Sequence, residues 1–561
     1  MSLSPIGRFK KLLQIDKKDI SQVYVYAFFN GLVNLSLPLG IQAIINLIQG
    51  GEMTASWIVL VAFVIGGIAL TGILQLLQLR IVENIAQKIF SRASFEFAYR
   101  IPRIKHSALR NYYAPELANR FFDTLTIQKG LPKILIDFSL ALFQIIVGLF
   151  VLSLYHSFFI VFSFILIALI YIIIAVTGPK GLRTSIYESK FKYKIAFWLE
   201  EIARTKLSFK LISNSDLNLN TTNYHVDKYL GAREAHFKVL ISQALYLISF
   251  KILIAAGLLI TGSILVFRQE MNLGQFVAAE IIIILIIASV EKLISSLDSI
   301  YDVLTALEKI GYVTDMDLEN NDGLALDKEM TDLSVGFHNV KYKYPDADGY
   351  TLDNINFHLP ANTSLFINGK ASSGKSTMLH LLSGILEPSE GVIQIKGIPL
   401  RSLNKDILRA HIGFALSNNE IFQGTILDNI AMSRPKATPE NVMDAIRMTG
   451  LDRFVSSVSL GLQTVLDPEA SQIPRNIKNR IILARALCTL PKLLILEDPL
   501  DHVVANEKDI VIKKITNPNN PWTIIVSSVD SSWKKYISAE ITLDRGKIIH
   551  SSLKQDPNAE Y

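Results

Sequence analysis

A single cysteine, Cys488, stands in 561 residues. That excludes an intramolecular disulfide and any cysteine-built metal cluster. Charge is also scarce: 19% of residues are Asp, Glu, Lys or Arg, half are apolar, and the mean hydropathy is +0.33. Such a balance belongs to membrane proteins. The scarcity sits in the N-terminal half. Residues 20–51 and 57–79 carry no charge, 138–178 hold only His156 as an ionisable group, and 239–290 hold only Lys251, Arg268, Glu270 and Glu280. About 20 apolar residues cross a hydrocarbon core, so 138–178 and 239–290 each read as two spans, joined at "YHS" (155–157) and "RQEMNLGQ" (268–275). Six spans are predicted.

Arg8, Lys10, Lys11, Lys17 and Lys18 precede the first span, whose apolar run is too long for a cleavable signal. With no peptidase-like segment ahead of that span, leader processing is not expected of this chain. The short connections "GEMTA" (51–55), "YHS" and "RQEMNLGQ" hold one Lys or Arg between them, whereas the loops at 80–133 and 179–238 are long and basic. The positive-inside rule places both termini and both long loops in the cytoplasm, in a multi-pass protein of the cytoplasmic membrane surrounded by lipid. The formal net charge of +6 is accounted for by those loops, so no nucleic-acid partner is inferred.

The stretches 80–104 and 183–205 have good helix formers and mixed charge, and are expected to continue the membrane helices. Short helices are expected at the loop tips, 111–124 and 198–211. A helix from 301 fades into an acidic linker. The predicted domains are a six-helix membrane domain (1–312), the linker (313–333) and an α/β domain (334–561), where short β-branched strands and Gly-rich turns take over.

Within the α/β domain, "SLFINGKASSGKSTMLHLLSGIL" (364–386) reads as strand, loop and helix. Gly369, Ala371, Ser372, Ser373, Gly374, Lys375, Ser376 and Thr377 fit G-x-x-x-x-G-K-[ST]. Glycines let backbone N–H groups wrap phosphates, Lys375 would reach the β/γ-phosphates of ATP, and Ser376 would ligate Mg²⁺.

Together with "VKYKYPDADGYTLDNINFHL" (340–359) and "IFQGTILDNIA" (421–431), this loop resembles ABC transporters. Six spans before such a domain look like an exporter-type half-transporter, and "ELANRFFDTLTIQKGL" (116–131) is similar to type I secretion exporters of peptides and proteins. The resemblance implies ATP and Mg²⁺ as cofactors. It also implies a homodimer or a heterodimer with a second half-transporter, and a periplasmic adaptor as a further partner. It puts Tyr344 where an aromatic ring stacks on adenine; an ordinary strand aromatic is the alternative.

Four places depart from that family's pattern. After "LLIL" the family has Asp, which holds the Mg²⁺ shell, then Glu, which polarises the attacking water; here stand Glu497 and Asp498. Glu497 can still hold Mg²⁺ through water. Asp498 is one methylene short, and a misplacement of about 1 Å costs roughly 10²-fold in rate. The glutamine expected after "IGFAL" (412–416) is Ser417, too short for the same gap. The histidine expected after a late strand is Ser528 or Val529, according to register. "IPRNI" (473–477) replaces Leu-Ser-Gly-Gly-Gln: Pro474 removes an N–H and a hydroxyl, and Arg475 and Asn476 put side chains where backbone should approach. Arg475 is either a substitute phosphate ligand or a solvated or obstructing side chain. A composite site takes its phosphate loop from one chain and its capping helix from the other, so even an intact partner leaves both sites altered.

Lys251 in the fifth span and Glu280 and Glu291 in or beside the sixth are costly in a bilayer. Equal depth lets Lys251 pair with Glu291, and eleven residues put Glu280 and Glu291 on one helix face. That face is a candidate cavity lining; snorkelling is the alternative for Lys251 and Glu291. The functional expectation is the ATP-binding subunit of an exporter moving a peptide, protein or amphipathic substrate out of the cytoplasm, with hydrolysis weak or lost. The alternative is a non-hydrolysing channel, scaffold or regulatory subunit of a secretion assembly.

Overall fold

The computed structural model describes residues 3–49, 55–110, 112–212, 214–324, 333–417, 420–467 and 473–553. The connection at 51–54, position 111 and the linker section 325–332 lie outside these. The chain divides into two units: Met1–Ile104 with Ala108–Asp317, and Leu318–Tyr561 with Lys105–Ser107.

Among the described residues, the first unit holds six helical segments long and apolar enough to cross a membrane: Lys17–Gln49, Ala55–Arg103, Ala114–Ser153, Ser157–Arg204, Leu217–Phe267 and Leu273–Thr314. At about 1.5 Å per residue, a helix of 51 residues such as Leu217–Phe267 is about 75 Å long, well over twice the hydrocarbon thickness. The charged stretches 80–100 and 183–204 are accordingly uninterrupted continuations of apolar helices.

The first span stands with an internal break, and one expectation, at the second loop tip, needs correcting. The first span is two helices, Lys17–Val33 and Ser36–Gln49. Pro38 explains the break: its ring opposes the carbonyl four residues back, at Asn34, where the first helix stops. At the second loop tip, 198–204 is the end of the long helix, and only Lys206–Leu211 forms a separate short one. The first tip contains the helix Ala114–Asn119.

Small residues let these helices approach. A Cβ on Gly181 would lie 2.4 Å from the Tyr301 ring, and one on Gly130 would lie 2.4 Å from Val303. One buried amide between them is doubly paired: Gln243 Nε2 donates to Thr177 Oγ1 (3.0 Å) and to Tyr301 Oη (2.9 Å). Lys251 Nζ and Glu291 Oε2 form an ion pair at 2.6 Å. Glu280 is half-buried on the same helix face and finds no hydrogen bond or ion pair among the described residues.

The second unit is built on twelve strands: β1 Val335–Tyr342, β2 Leu352–Leu359, β3 Ser364–Gly369, β4 Glu390–Ile395, β5 Ile398–Pro399, β6 Ile412–Ala415, β7 Gly424–Thr425, β8 Val465–Leu466, β9 Leu493–Glu497, β10 Thr523–Ser527, β11 Ala539–Asp544 and β12 Lys547–Ser551. The main sheet runs β12-β11-β3-β10-β9-β6, parallel except for β12, and a second, antiparallel sheet runs β2-β1-β4-β5. Strands β9 and β10 are apolar without alternation and wholly buried, as a parallel sheet covered on both faces requires. The described end of the acidic linker folds onto this unit: Leu324 N donates to Ser402 O (2.7 Å), and Arg409 pairs with Glu319.

Candidate nucleotide site

Strand β3 ends at Gly369 and a helix begins at Lys375, so the phosphate loop lies between a buried strand and a helix N-terminus. Gly369 (φ +150°) and Gly374 (φ +102°) occupy backbone regions closed to most side chains. A Cβ on Gly369 would also sit 2.5 Å from the Leu543 carbonyl oxygen, so the loop is packed against β11. Ala371 and Ser372 are exposed at its crest. Ser373 is buried, and its Oγ has no hydrogen-bond partner among the described residues. Lys375 folds back so that Nζ donates to the carbonyls of Gly369 (2.7 Å) and Lys370 (2.8 Å). Burial pushes this ammonium below the usual lysine range, against the pull of Asp498 and Glu497.

The two carboxylates after β9 point to different partners. Glu497 is the last residue of the strand and 7% exposed; its Oε2 accepts from Ser417 N (3.0 Å) and Ser417 Oγ (2.7 Å). Burial alone would raise this carboxyl, but hydrogen bonds from Ser376 and Ser417 outweigh it and hold it below the usual range. Ser417, short as it is, reaches Glu497, the carboxylate that carries one methylene more than the Asp of the family's pattern. Ser376, Ser417 and Glu497 form one oxygen cluster at the start of the phosphate-loop helix.

Asp498 turns the other way. Its backbone is left-handed (φ +41°), a conformation costing about 1–3 kcal/mol in a non-glycine residue. Its Oδ1 accepts from Ser528 Oγ (2.7 Å) and Val529 N (3.0 Å), just past β10. Ser528 is buried and Val529 is 84% exposed, so the serine is the side chain facing the carboxylate. Asp498 and Ser528 line a cleft of about 250 Å³ with Lys508 and Asp530, an ion pair that sequence reasoning missed. Neither residue has a motif or spacing that could have flagged it.

Tyr344 lies just beyond β1, half-buried, its Oη 3.3 Å from Thr377 Oγ1 on the phosphate-loop helix. The helix Arg475–Leu487 starts five residues before Arg480, with Pro474 as an N-cap that offers no side-chain acceptor. Ser471 and Gln472 lie outside the described residues. Arg475 is exposed and Asn476 half-buried in its first turn. The body of the helix is held by Ile481, Leu483 and Ala484, all fully buried, and by Arg480, which donates to Gly450 O (2.9 Å) and pairs with Glu507.

These residues suit a phosphate and a hard cation. An orphaned buried hydroxyl, a lysine satisfied only by loop carbonyls and two glycines without room for a Cβ make a close-wrapping anion cradle. Ser376 and Glu497 offer the oxygen ligands that Mg²⁺ takes alongside phosphate.

Six membrane-length helices followed by a sheet with a phosphate loop define a membrane protein carrying a P-loop nucleotide-binding domain. Residues 352–501 match the ABC transporter family. The chain is 28% identical over 287 residues to the alpha-hemolysin translocation ATP-binding protein HlyB of Escherichia coli O157:H7, covering 51% of this chain and 40% of that protein. It is 28% identical over 306 residues to HlyB of Proteus vulgaris and 27% identical over 306 residues to the toxin RTX-I translocation ATP-binding protein of Actinobacillus pleuropneumoniae, in both cases covering 54% of this chain and 43% of the relative. The chain thus spans less than half the length of the curated relatives it matches. A solved bacterial Atm1-family ABC exporter with ATP bound superposes with a TM-score of 0.85, at 16% identity, over 96% of both chains. Residues 352–501 therefore match the ABC transporter family, and the whole chain shares the fold of that solved exporter.

Proposed function

We propose that this chain is the ATP-binding subunit of an exporter in which nucleotide binding is retained and hydrolysis is weak or lost. Binding is supported by the cradle of Gly369, Ser373, Gly374 and Lys375 with Tyr344 beside it, and by the cluster of Ser376, Ser417 and Glu497. Mg²⁺, held by Ser376 and Glu497, would neutralise charge on the phosphates. The observation that carries the loss of hydrolysis is the position of Asp498. A carboxylate one methylene short, tied by Ser528 Oγ at 2.7 Å and Val529 N at 3.0 Å, is held toward β10 by two donors. Both donors fall on Oδ1, so only Oδ2 of this shortened carboxylate is left to meet a water, from a position fixed toward β10. Pro474 and Arg475 weaken the capping helix independently.

Relatives named for toxin translocation and export favour a peptide or protein cargo. Their kind also suggests assembly as a homodimer or with a second half-transporter, with a periplasmic adaptor, in the cytoplasmic membrane with both termini inside. The tethered Asp498 equally favours a second reading, a non-hydrolysing channel, scaffold or regulatory subunit.

The full chain in lipid nanodiscs, assayed side by side for Mg-ATP binding and phosphate release, tests the proposal. Saturable binding that Lys375→Ala abolishes, with release at background, is expected. Rapid release abolished by Lys375→Ala would refute the loss of hydrolysis, and absent binding would refute the rest.

A further inference from the structure

The helical unit contains a second, larger cavity that nucleotide chemistry does not use. It has a volume of about 1140 Å³ and lies among residues 110–120, 183–197 and 309–312, on the polar continuations of the apolar helices. Six cationic side chains and six aromatic rings line it, against one carboxylate, Glu116. Glu116 is already engaged, its Oε1 2.7 Å from Arg120 Nη2.

Two of the cations are buried and undersatisfied. Lys309 is 5% exposed and finds no hydrogen-bond or ion-pair partner for its ammonium among the described residues. Asp123 and Glu308 act on it only at longer range, and they are bonded to Tyr193 and Arg8 respectively. Arg120 is 8% exposed, and its Nε has no partner among the described residues. Apart from the Arg120–Glu116 pair, the contacts these cations make are with rings: Arg120 Cζ lies 4.2 Å from the Tyr193 centroid and 5.1 Å from that of Tyr312, and Lys309 Nζ lies 5.8 and 5.4 Å from the same two. Burying a cation without a counter-charge is strongly unfavourable, and ring faces return only part of the lost hydration. A fold that keeps Lys309 without a direct counter-charge, and Arg120 with an unpartnered Nε, on a cavity wall supplies donors for something that enters the cavity. Guanidinium and ammonium select an anionic oxygen group, and the surrounding tyrosines select a flat or apolar body attached to it.

We propose that this cavity binds a small organic anion carrying an aromatic or other flat ring system, with Lys309 and Arg120 holding its acidic group. The site lies wholly within the helical unit, so it stands whether or not the nucleotide unit turns over.

The probe is trisulfonated hydroxypyrene, a ring-bearing trianion that stays out of lipid. It is titrated by fluorescence anisotropy, without nucleotide, against the full chain in nanodiscs of neutral phosphatidylcholine and in parallel against Lys375→Ala, whose disabled nucleotide site should leave this binding unchanged. Saturable binding is expected, displaced by naphthalene dicarboxylate and not by equal inorganic sulfate. Lys309→Met keeps the side chain's length without its charge and is expected to weaken binding about tenfold or more. Lys190→Ala alters only an exposed residue on the rim, so the fold is not at issue, and a loss of about two- to fivefold is expected. Absent binding, binding lost in Lys375→Ala, wild-type affinity in both cavity variants, or displacement by sulfate as effective as by the ring compound would each overturn the assignment.

Discussion

Shortening Glu497 to Asp and lengthening Ser417 to Gln, singly and together, tests whether the two departures compensate each other. Glu497 Oε2 lies 2.7 Å from Ser417 Oγ and 3.0 Å from Ser417 N. Removing one methylene withdraws the carboxylate by about 1.5 Å, which takes both contacts out of hydrogen-bond range. Bonds to a charged group contribute about 1.5–3 kcal/mol each, and neighbouring bonds are not additive, so Glu497→Asp should cost about 3 kcal/mol. Ser417→Gln alone pushes a longer side chain against a carboxylate that already fills the space, at about 1–3 kcal/mol. The double variant restores the total reach and should return to within about 1 kcal/mol of the parent. At about 2–4 °C per kcal/mol for a domain of this size, Glu497→Asp lowers the thermal midpoint by about 6–12 °C and the double variant recovers most of that. Trp522 and Trp533, both buried in the second unit, report the transition by fluorescence in the full chain at one fixed scan rate. The pH dependence has a definite sign. The folded carboxyl lies below its unfolded value, so its stabilisation is full above the unfolded pKa near 4.5 and is lost as pH falls through the folded value. A double variant whose midpoint falls by the sum of the two single losses would refute the compensation.

Further outcomes are expected elsewhere. Burial would raise the Asp530 carboxyl, but Lys508 and Ser532 outweigh it and hold it at about 2, so its contribution is present above about pH 3.8 and fades toward pH 2; Asp530→Asn should cost of order 1 kcal/mol at pH 7 and flatten the acid limb of a thermal-midpoint series. Gly181→Ala drives a methyl into the Tyr301 ring and should lower the midpoint of the helical unit by an amount corresponding to about 1–3 kcal/mol, read by unfolding in detergent. Lys251→Leu leaves Glu291 without its 2.6 Å partner and should destabilise more than Lys251→Leu combined with Glu291→Leu, measured in the same way. Glu280→Gln should impair transport in a vesicle assay while leaving the unfolding midpoint unchanged if the Glu280 face lines the pathway; unchanged transport would remove that assignment.

What could be read from the sequence follows the range of the interaction involved. Runs without charge and the glycine spacing of the phosphate loop are local signals, and they placed the membrane helices, β3 and the loop. The break after Val33 was also local, since Pro38 opposes Asn34 within one turn, but the continuous apolar run masked it. The pairings that decide the site are long-range. Ser417 and Glu497 are 80 positions apart, Asp498 and Ser528 are 30 apart, and parallel alignment of β6, β9 and β10 brings their C-terminal ends together. Judged one position at a time, Ser417 looks like a loss; judged beside Glu497, it is half of an exchange. Lys309 shows the same limit. It is one lysine in a helix, and only the packing of residues 110–120 and 183–197 around it makes it a buried cation.

The departures differ in what they leave behind, and that difference carries the functional reading. The exchange of Ser417 and Glu497 keeps three oxygen groups together where a cation beside a phosphate would be held. Asp498 and Ser528 keep a hydrogen bond too, but that bond and the Val529 N–H fix Oδ1 toward β10 and leave only Oδ2 of a shortened carboxylate to meet a water. At Pro474 nothing replaces what is lost: the helix begins without a side-chain cap, and Arg475 adds positive charge where the helix dipole is already positive. On the proposed reading, the groups for nucleotide binding stay together, Asp498 is fixed by Ser528 and Val529, and the helix after Pro474 starts without a side-chain cap. If two chains share each site, a fully equipped partner would supply a cap to this chain's tethered Asp498 and would receive this chain's bare helix in return. Neither exchange yields the family's full set of groups, so the proposal of retained binding with little turnover applies to a heterodimer as well as to a homodimer.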